Sequence, residues 1–238
     1  MSILREDFRP LSHQVVIFTQ ETQIQVQRVI KWLPPNWITR LSEPTVLGAM
    51  NLPPEVPRIS WKNDRKPWSA SVAPTAFTVM WRNLLKMRDD KLSAESFLNK
   101  TLPILMSYKK SFRLNVNRIA CLSSRFARVK SPAKELAEHF CKPEWLKSPF
   151  NRPENFEIHS HKQFNLPGSE MINSWMRVKT AKLVEELPTE ELVIVVEQDF
   201  NTPENTPERN MKDSDIGKFF KAAPQEMDIV FDLYFPPG

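Results

Sequence analysis

The spacing of apolar positions predicts strands and helices in alternation. His13–Gln20 (HQVVIFTQ) is rich in β-formers and predicts a first strand. Thr22-x-x-Gln25 is a capping-box pattern, and Val26, Val29, Ile30 and Leu33 then fall at helical spacing. Pro34-Pro35 ends that helix, because proline cannot donate the next hydrogen bond. Residues 36–57 are punctuated by Pro44, Pro53, Pro54 and Pro57 and predict irregular chain. Three β-like runs follow, Arg58–Lys62, Trp68–Val72 and Phe77–Trp81, at a spacing that suits an antiparallel meander. Ser93 then caps a helix carrying Phe97, Leu98 and Leu102, which Pro103 kinks or restarts.

The second half repeats the rhythm. Phe112, Leu114 and Val116 alternate with Arg113, Asn115 and Asn117, predicting a strand over Phe112–Leu122. Ile119 and Cys121 are out of phase with that alternation, which places a bulge near Asn117–Arg118. Ser131-Pro132 starts a helix with Leu136 and Phe140 on one face, and Pro143 closes it. Asn155–Phe164, Met171–Thr180 and Glu190–Gln198 are strand candidates, the last apolar on both faces and so expected to be buried on both. The tandem tetrapeptide Asn201–Glu208 reads as a mobile loop. Asp213 or Asp215 opens a helix with Phe219 and Phe220, and Pro224 starts another with Met227, Val230, Phe231 and Tyr234. The fold class expected is α+β: a mainly antiparallel, curved sheet with helices packed on one face. It is expected as a single compact domain over residues 1–238, with β-α-β-β-β-α pseudo-repeats at 12–111 and 112–238.

Composition removes several function classes. The four glycines (Gly48, Gly168, Gly217, Gly238) are scattered, so neither G-x-x-x-x-G-K-[ST] nor G-x-G-x-x-G occurs. The longest apolar run, Leu192 to Val196, is far below the roughly 20 residues of a membrane helix. Arg5, Glu6 and Asp7 stand where a signal peptide needs apolar residues. Two lone cysteines, Cys121 and Cys141, read as thiols of a cytoplasmic protein rather than a disulfide framework.

Charge is polarised along the chain. Residues 183–238 hold 13 acids and 4 bases, whereas residues 96–134 contain no acid at all. That tract carries Lys100, Lys109, Lys110, Arg113, Arg118, Arg125, Arg128, Lys130 and Lys134. Such a field attracts phosphate backbones or an acidic protein partner, unless the acidic C-terminal segment folds back and neutralises it. The anion or nucleic-acid contacts to test are Lys109, Lys110, Arg113, Arg118, Arg125, Arg128 and Lys130.

Other constellations are weaker. Glu157, His159 and His161 share one strand face, and H-x-H on a strand can ligate a metal with His139 or Cys141 as a further ligand, but the preferred reading has Phe156 and Ile158 facing the core and these three facing water. Cys141 and His139, two apart on a helix, point in different directions. Asp213 with Asp215, and Glu197 with Asp199, have the spacing of a helix N-terminus and of a strand end, so neither pair requires acid–base chemistry. Trp175, Arg177 and Lys179 share a strand face that would stack bases and hold phosphates if exposed. Trp61, Trp68 and Trp81 read as core.

Two stretches, Ser71-Val72-Ala73-Pro74-Thr75-Ala76-Phe77-Thr78-Val79-Met80-Trp81-Arg82 and Arg113-Leu114-Asn115-Val116-Asn117-Arg118-Ile119, carry a family likeness. In order and spacing they resemble an uncharacterised, sporadically distributed prokaryotic family of similar length. That family has a strand, a proline turn, a strand ending in Trp, a long helix, and a strand opening with Arg-Leu/Ile. Where it often places Asn after the second strand's hydrophobic pair, this chain has Ala120. The resemblance implies the fold outline and no activity. With no phosphate loop, metal cluster or triad, the sequence reads as a soluble binding or interaction protein without cofactor, rather than an enzyme. A nucleic-acid-binding accessory protein using residues 96–134 is the alternative, and a hydrolase with an unrecognised site is a third.

Overall fold

A computed structural model describes residues 3–48, 52–84, 91–147, 153–168, 170–183, 191–204 and 209–238. The strands are β1 (Phe8–Thr19), β2 (Thr45–Val46), β3 (Ile59–Trp61), β4 (Trp68–Ala73), β5 (Ala76–Arg82), β6 (Val116–Ala127), β7 (Glu157–Asn165), β8 (Met171–Leu183) and β9 (Glu191–Asn201). The helices are α1 (Val26–Trp32), α2 (Pro35–Ile38), α3 (Ala94–Phe112), α4 (Pro132–Phe140), α5 (Pro143–Lys147) and α6 (Asp213–Tyr234). All nine strands join one antiparallel sheet in the order β2-β3-β4-β5-β1-β6-β9-β8-β7. In each half a meander returns its last strand to pair with its first: β5 beside β1, and β9 beside β6. The two first strands pair with each other at the centre.

Alternation along the strands gives the sheet an inner and an outer face. On the inner face Val15, Ile17, Phe77, Val79, Trp81, Ile119, Cys121 and Phe200 meet Val29 of α1, Trp37 of α2, Phe97 and Leu105 of α3, and Phe219 and Met227 of α6. A neighbouring cluster joins Ala127, Met176, Val178, Ile194 and Val196 to Leu136 of α4 and to Phe231 and Phe235. Every described helix with a buried residue packs into one of these two clusters. Trp61 and Trp81 are fully buried, and rings of this size contribute most of the apolar area removed from water. Val193 to Val196 are buried on both faces, as their uninterrupted apolar run requires, while Leu192 stays exposed at the strand's start. On the outer side Val193 and Val195 pack with Phe126.

Several local expectations change. The Thr22 hydroxyl bonds the Pro74 carbonyl at 3.0 Å instead of capping α1, whose N-cap is Gln25. Neither internal proline breaks its helix: α3 runs through Pro103 and α6 through Pro224. Pro103 is exposed and Pro224 buried, but in each helix apolar residues on both sides of the proline are held in the core, and that packing outweighs the lost hydrogen bond. Phe112 is the last residue of α3, not the first of a strand, so β6 starts at Val116 and a repeat boundary at 112 falls inside a helix. Arg113 closes α3 in the left-handed region at φ 51°. The expected bulge is present: Phe18 pairs with Arg118 and Thr19 with Val116, which leaves Asn117 as the extra residue. Pro143, expected to close α4, also opens α5, and Pro35 opens α2, which runs into the 36–57 stretch expected to be irregular. Residues 205–208 of the tandem tetrapeptide, and Glu190, lie outside the described residues.

Candidate ligand cleft and outer sheet face

Arg125 sits on the inner face of β6 opposite Val196, where a core residue would be expected. Its guanidinium lies 4.3 Å from the centre of the Phe231 ring and donates to Asp228. Arg5, in a single 3-10 turn before β1, holds the same Asp228 at 3.1 Å and Asp232 at 2.6 Å. Asp228 and Asp232 are one turn apart on α6, so both face these guanidiniums. Two cations and two carboxylates thus close a charge-balanced cluster at the floor of a cleft of about 730 Å³. The start of β1, the first turn of α3 and the middle of α6 form its walls.

His13 also lines this cleft. It is 3% exposed and stacks on Trp81 with ring centres 5.6 Å apart. Its Nε2 donates to the Leu92 carbonyl at 2.8 Å, and its Nδ1 accepts from the Ser123 hydroxyl at 3.1 Å. Burial, reinforced by the nearby positive charge of Arg125, pushes its pKa down to about 4 against the pull of the Leu92 carbonyl. The imidazole is therefore neutral at pH 7, in the tautomer the two bonds require. Ser123 and His13 have the contact of a nucleophile and its base, but Ser123 is 2% exposed and is not part of the cleft wall. A hydroxyl that substrate does not reach, beside so weak a base, does not support the hydrolase reading.

Two charges in the cleft wall remain uncommitted. Glu95 stands in the first turn of α3, after the Ser93 cap that accepts from Ser96 N at 3.2 Å. Lys221 faces it from α6. Among the described residues neither forms an ion pair.

The basic tract does not form one cationic surface. Lys109 binds Asp213 at 2.5 Å, Arg118 binds Glu204, Arg125 binds Asp228, and Arg128 binds Glu191 at 2.9 Å. All four acids come from residues 183–238, so the C-terminal segment folds back on the tract. Lys134 pairs with Glu138 of its own helix. Lys110, Arg113 and Lys130 form no ion pair among the described residues. Arg113 borders a smaller hollow of about 220 Å³ beside Arg28 and Phe112.

Trp175, Arg177 and Lys179 do share the outer face, which no described helix covers. Trp175 stacks on His161 with ring centres 4.0 Å apart and 17° between planes. Beside the stack a polar ladder crosses three strands. Gln163 donates to Asn173 at 2.8 Å, Asn173 to Asn201 at 3.1 Å, and Asn201 to Asp199 at 3.0 Å. Lys179 pairs with Glu197 at 3.0 Å, and His159 with Glu157 at 2.5 Å. The hydrogen bond from His159 holds the Glu157 carboxyl below its usual pKa. The two imidazoles of the H-x-H motif are thus engaged separately, and no group of three or more metal-type ligands occurs among the described residues. Cys141 ends α4, while His139 contacts the Tyr234 carbonyl at 2.7 Å, so they do not act as a pair.

The sequence pointed to Arg125 but not to the residues that make it a site. Arg5, His13, Glu95, Lys221, Asp228 and Asp232 come from the N-terminal turn, β1, α3 and α6. Only the four-residue spacing of Asp228 and Asp232 was a linear signal. No helix is long and apolar enough to cross a membrane among the described residues. No family model, curated protein or solved structure matches the chain.

Proposed function

We propose that this chain is a non-enzymatic binding protein that holds its ligand in the cleft between β1, α3 and α6. The observation that carries this reading is the cleft itself: about 730 Å³, with an anchored charged floor and an apolar ledge at Phe8 and Ile229. His13 is kept neutral by burial and fixed in one tautomer by its two hydrogen bonds, which suits shape and charge recognition better than proton transfer. Ile229 is 48% exposed and lines the cleft, so Ile229→Trp should obstruct it without touching the core. A fragment screen read by protein NMR is expected to give hits that shift cleft resonances in the wild type and are lost in the variant. Hits that persist in Ile229→Trp would place the binding surface elsewhere.

A second reading rests on the Trp175–His161 stack. An exposed sheet with a flat aromatic pair and Arg177 beside it is a platform on which single-stranded nucleic acid bases stack. If it works so, Trp175→Ala weakens oligonucleotide binding several-fold while Arg113→Ala does not. Equal effects would sink it.

The chain also reads as a tandem duplication. From the centre outward the strands run β1-β5-β4-β3 on one side and β6-β9-β8-β7 on the other, with β2 added at the first edge; that order, and the equal 12-residue lengths of the paired central strands β1 and β6, support that reading. Superposing residues 8–112 on 116–234 tests it: α3 must fall on α6 when β1 is laid on β6.

A further inference from the structure

We infer that the cleft takes a short zwitterionic peptide-like ligand, whose carboxylate meets Lys221 and whose ammonium meets Glu95. This rests on the binding reading above. The charges in the wall separate into two sets. Arg5, Arg125, Asp228 and Asp232 are tied to one another and sum to zero. A simple anion would have to break that set to reach a guanidinium, and a simple cation would have to break it to reach a carboxylate. Glu95 and Lys221 are the remaining pair: opposite in sign, exposed, on the two facing helices α3 and α6.

Both residues also border the adjoining hollow of about 330 Å³ between the same helices, yet they do not close on each other. A molecule with one charge of each sign satisfies both without disturbing the floor. Phe8, Pro224 and Ile229 add apolar lining to the same cleft. The cavity volume fits a ligand of a few residues rather than a free amino acid. Discrimination comes from the unpaired charge that a ligand lacking one end would leave facing it.

The test uses trialanine, N-acetyl-trialanine and trialanine amide, titrated against the full chain by NMR. Trialanine is expected to shift cleft resonances. Removing either ligand charge, or substituting Glu95→Gln or Lys221→Gln, is expected to weaken binding by about tenfold. The blocked ammonium should cost little extra in Glu95→Gln, and the amide little extra in Lys221→Gln, which a general loss of fold would not produce. If all three peptides bind the wild type equally in the cleft, the ligand class is wrong and the binding reading stands. If no peptide binds while fragments still do, the ligand class is again wrong. If neither peptides nor fragments perturb the cleft, the binding reading fails with it.

Discussion

At the scale of single residues, His13 couples the core to pH. Its pKa is about 4 in the folded chain against an ordinary 6.5 when unfolded. The depressed value means the folded state prefers the neutral ring. The stability this contributes is fully present above pH 6.5 and is lost as pH falls from 6.5 towards 4. Over that window it amounts to about 3 kcal/mol. Urea midpoints measured between pH 4 and 7.5 should fall with acid in the wild type and fall less steeply in His13→Phe. Equal slopes would show that His13 is not the titrating group. Burial likewise raises the Cys121 thiol to about 12, whereas Cys141 is partly exposed. A thiol reagent at pH 8 should therefore label Cys141 alone in the folded chain, and both cysteines in urea. Arg113 carries a different constraint. A non-glycine residue at φ 51° costs about 1 kcal/mol, so Arg113→Gly should raise the urea midpoint, while Arg113→Val should lower it.

Among elements, the long helices show what linear pattern conveys and what it omits. Ser93 was legible as a cap, and it does accept from Ser96 N. Ser93→Ala should cost about 1 kcal/mol in a denaturation experiment, with no change in the slope against urea. Pro103 and Pro224 read as breaks, because local chemistry says only that a hydrogen bond is lost. It does not say that Phe97, Leu105, Phe219 and Met227 hold both sides of each proline against the same sheet. The same contrast separates Asn117 from Phe112. The bulge at Asn117 was visible because a strand's two-residue period had visibly slipped, and sheet pairing preserves that period. Phe112 was misread because Phe112, Leu114 and Val116 alternate by coincidence across a helix end and a left-handed cap. The cleft was not legible at all. Arg125 looked like one more base in a basic tract, since nothing near it in sequence shows that Asp228 and Arg5 converge on it. The strand carrying Trp175 was read correctly because its two faces differ chemically: Ile172, Met176 and Val178 inward, Trp175, Arg177 and Lys179 outward.

For the whole molecule the decisive relation is between the acid-free tract and the acid-rich end of the chain. Each ion pair joining them is at least partly exposed, so each contributes little to stability, of order 0–1 kcal/mol. Their larger consequence is for the electrostatic field. Lys109, Arg118 and Arg128 each have a carboxylate within contact distance, and a polyanion must displace or tolerate it before gaining a phosphate contact. The chain's formal charge of +5 therefore overstates its attraction for nucleic acid. Removing the carboxylates without touching the bases isolates this effect. The triple variant Glu191→Gln, Glu204→Gln, Asp213→Asn leaves every base in place and raises the formal charge from +5 by three. Wild-type protein is expected to bind a short single-stranded oligonucleotide weakly at low salt, with a shallow dependence on ionic strength. The variant should bind at least several-fold more tightly and with a steeper salt slope, because each freed base can replace a condensed counterion. Tight, steeply salt-dependent binding by the wild type, unchanged in the variant, would mean that phosphates are met by bases the acidic segment never reaches. Lys110, Arg113 and Lys130 would then be the residues to substitute first.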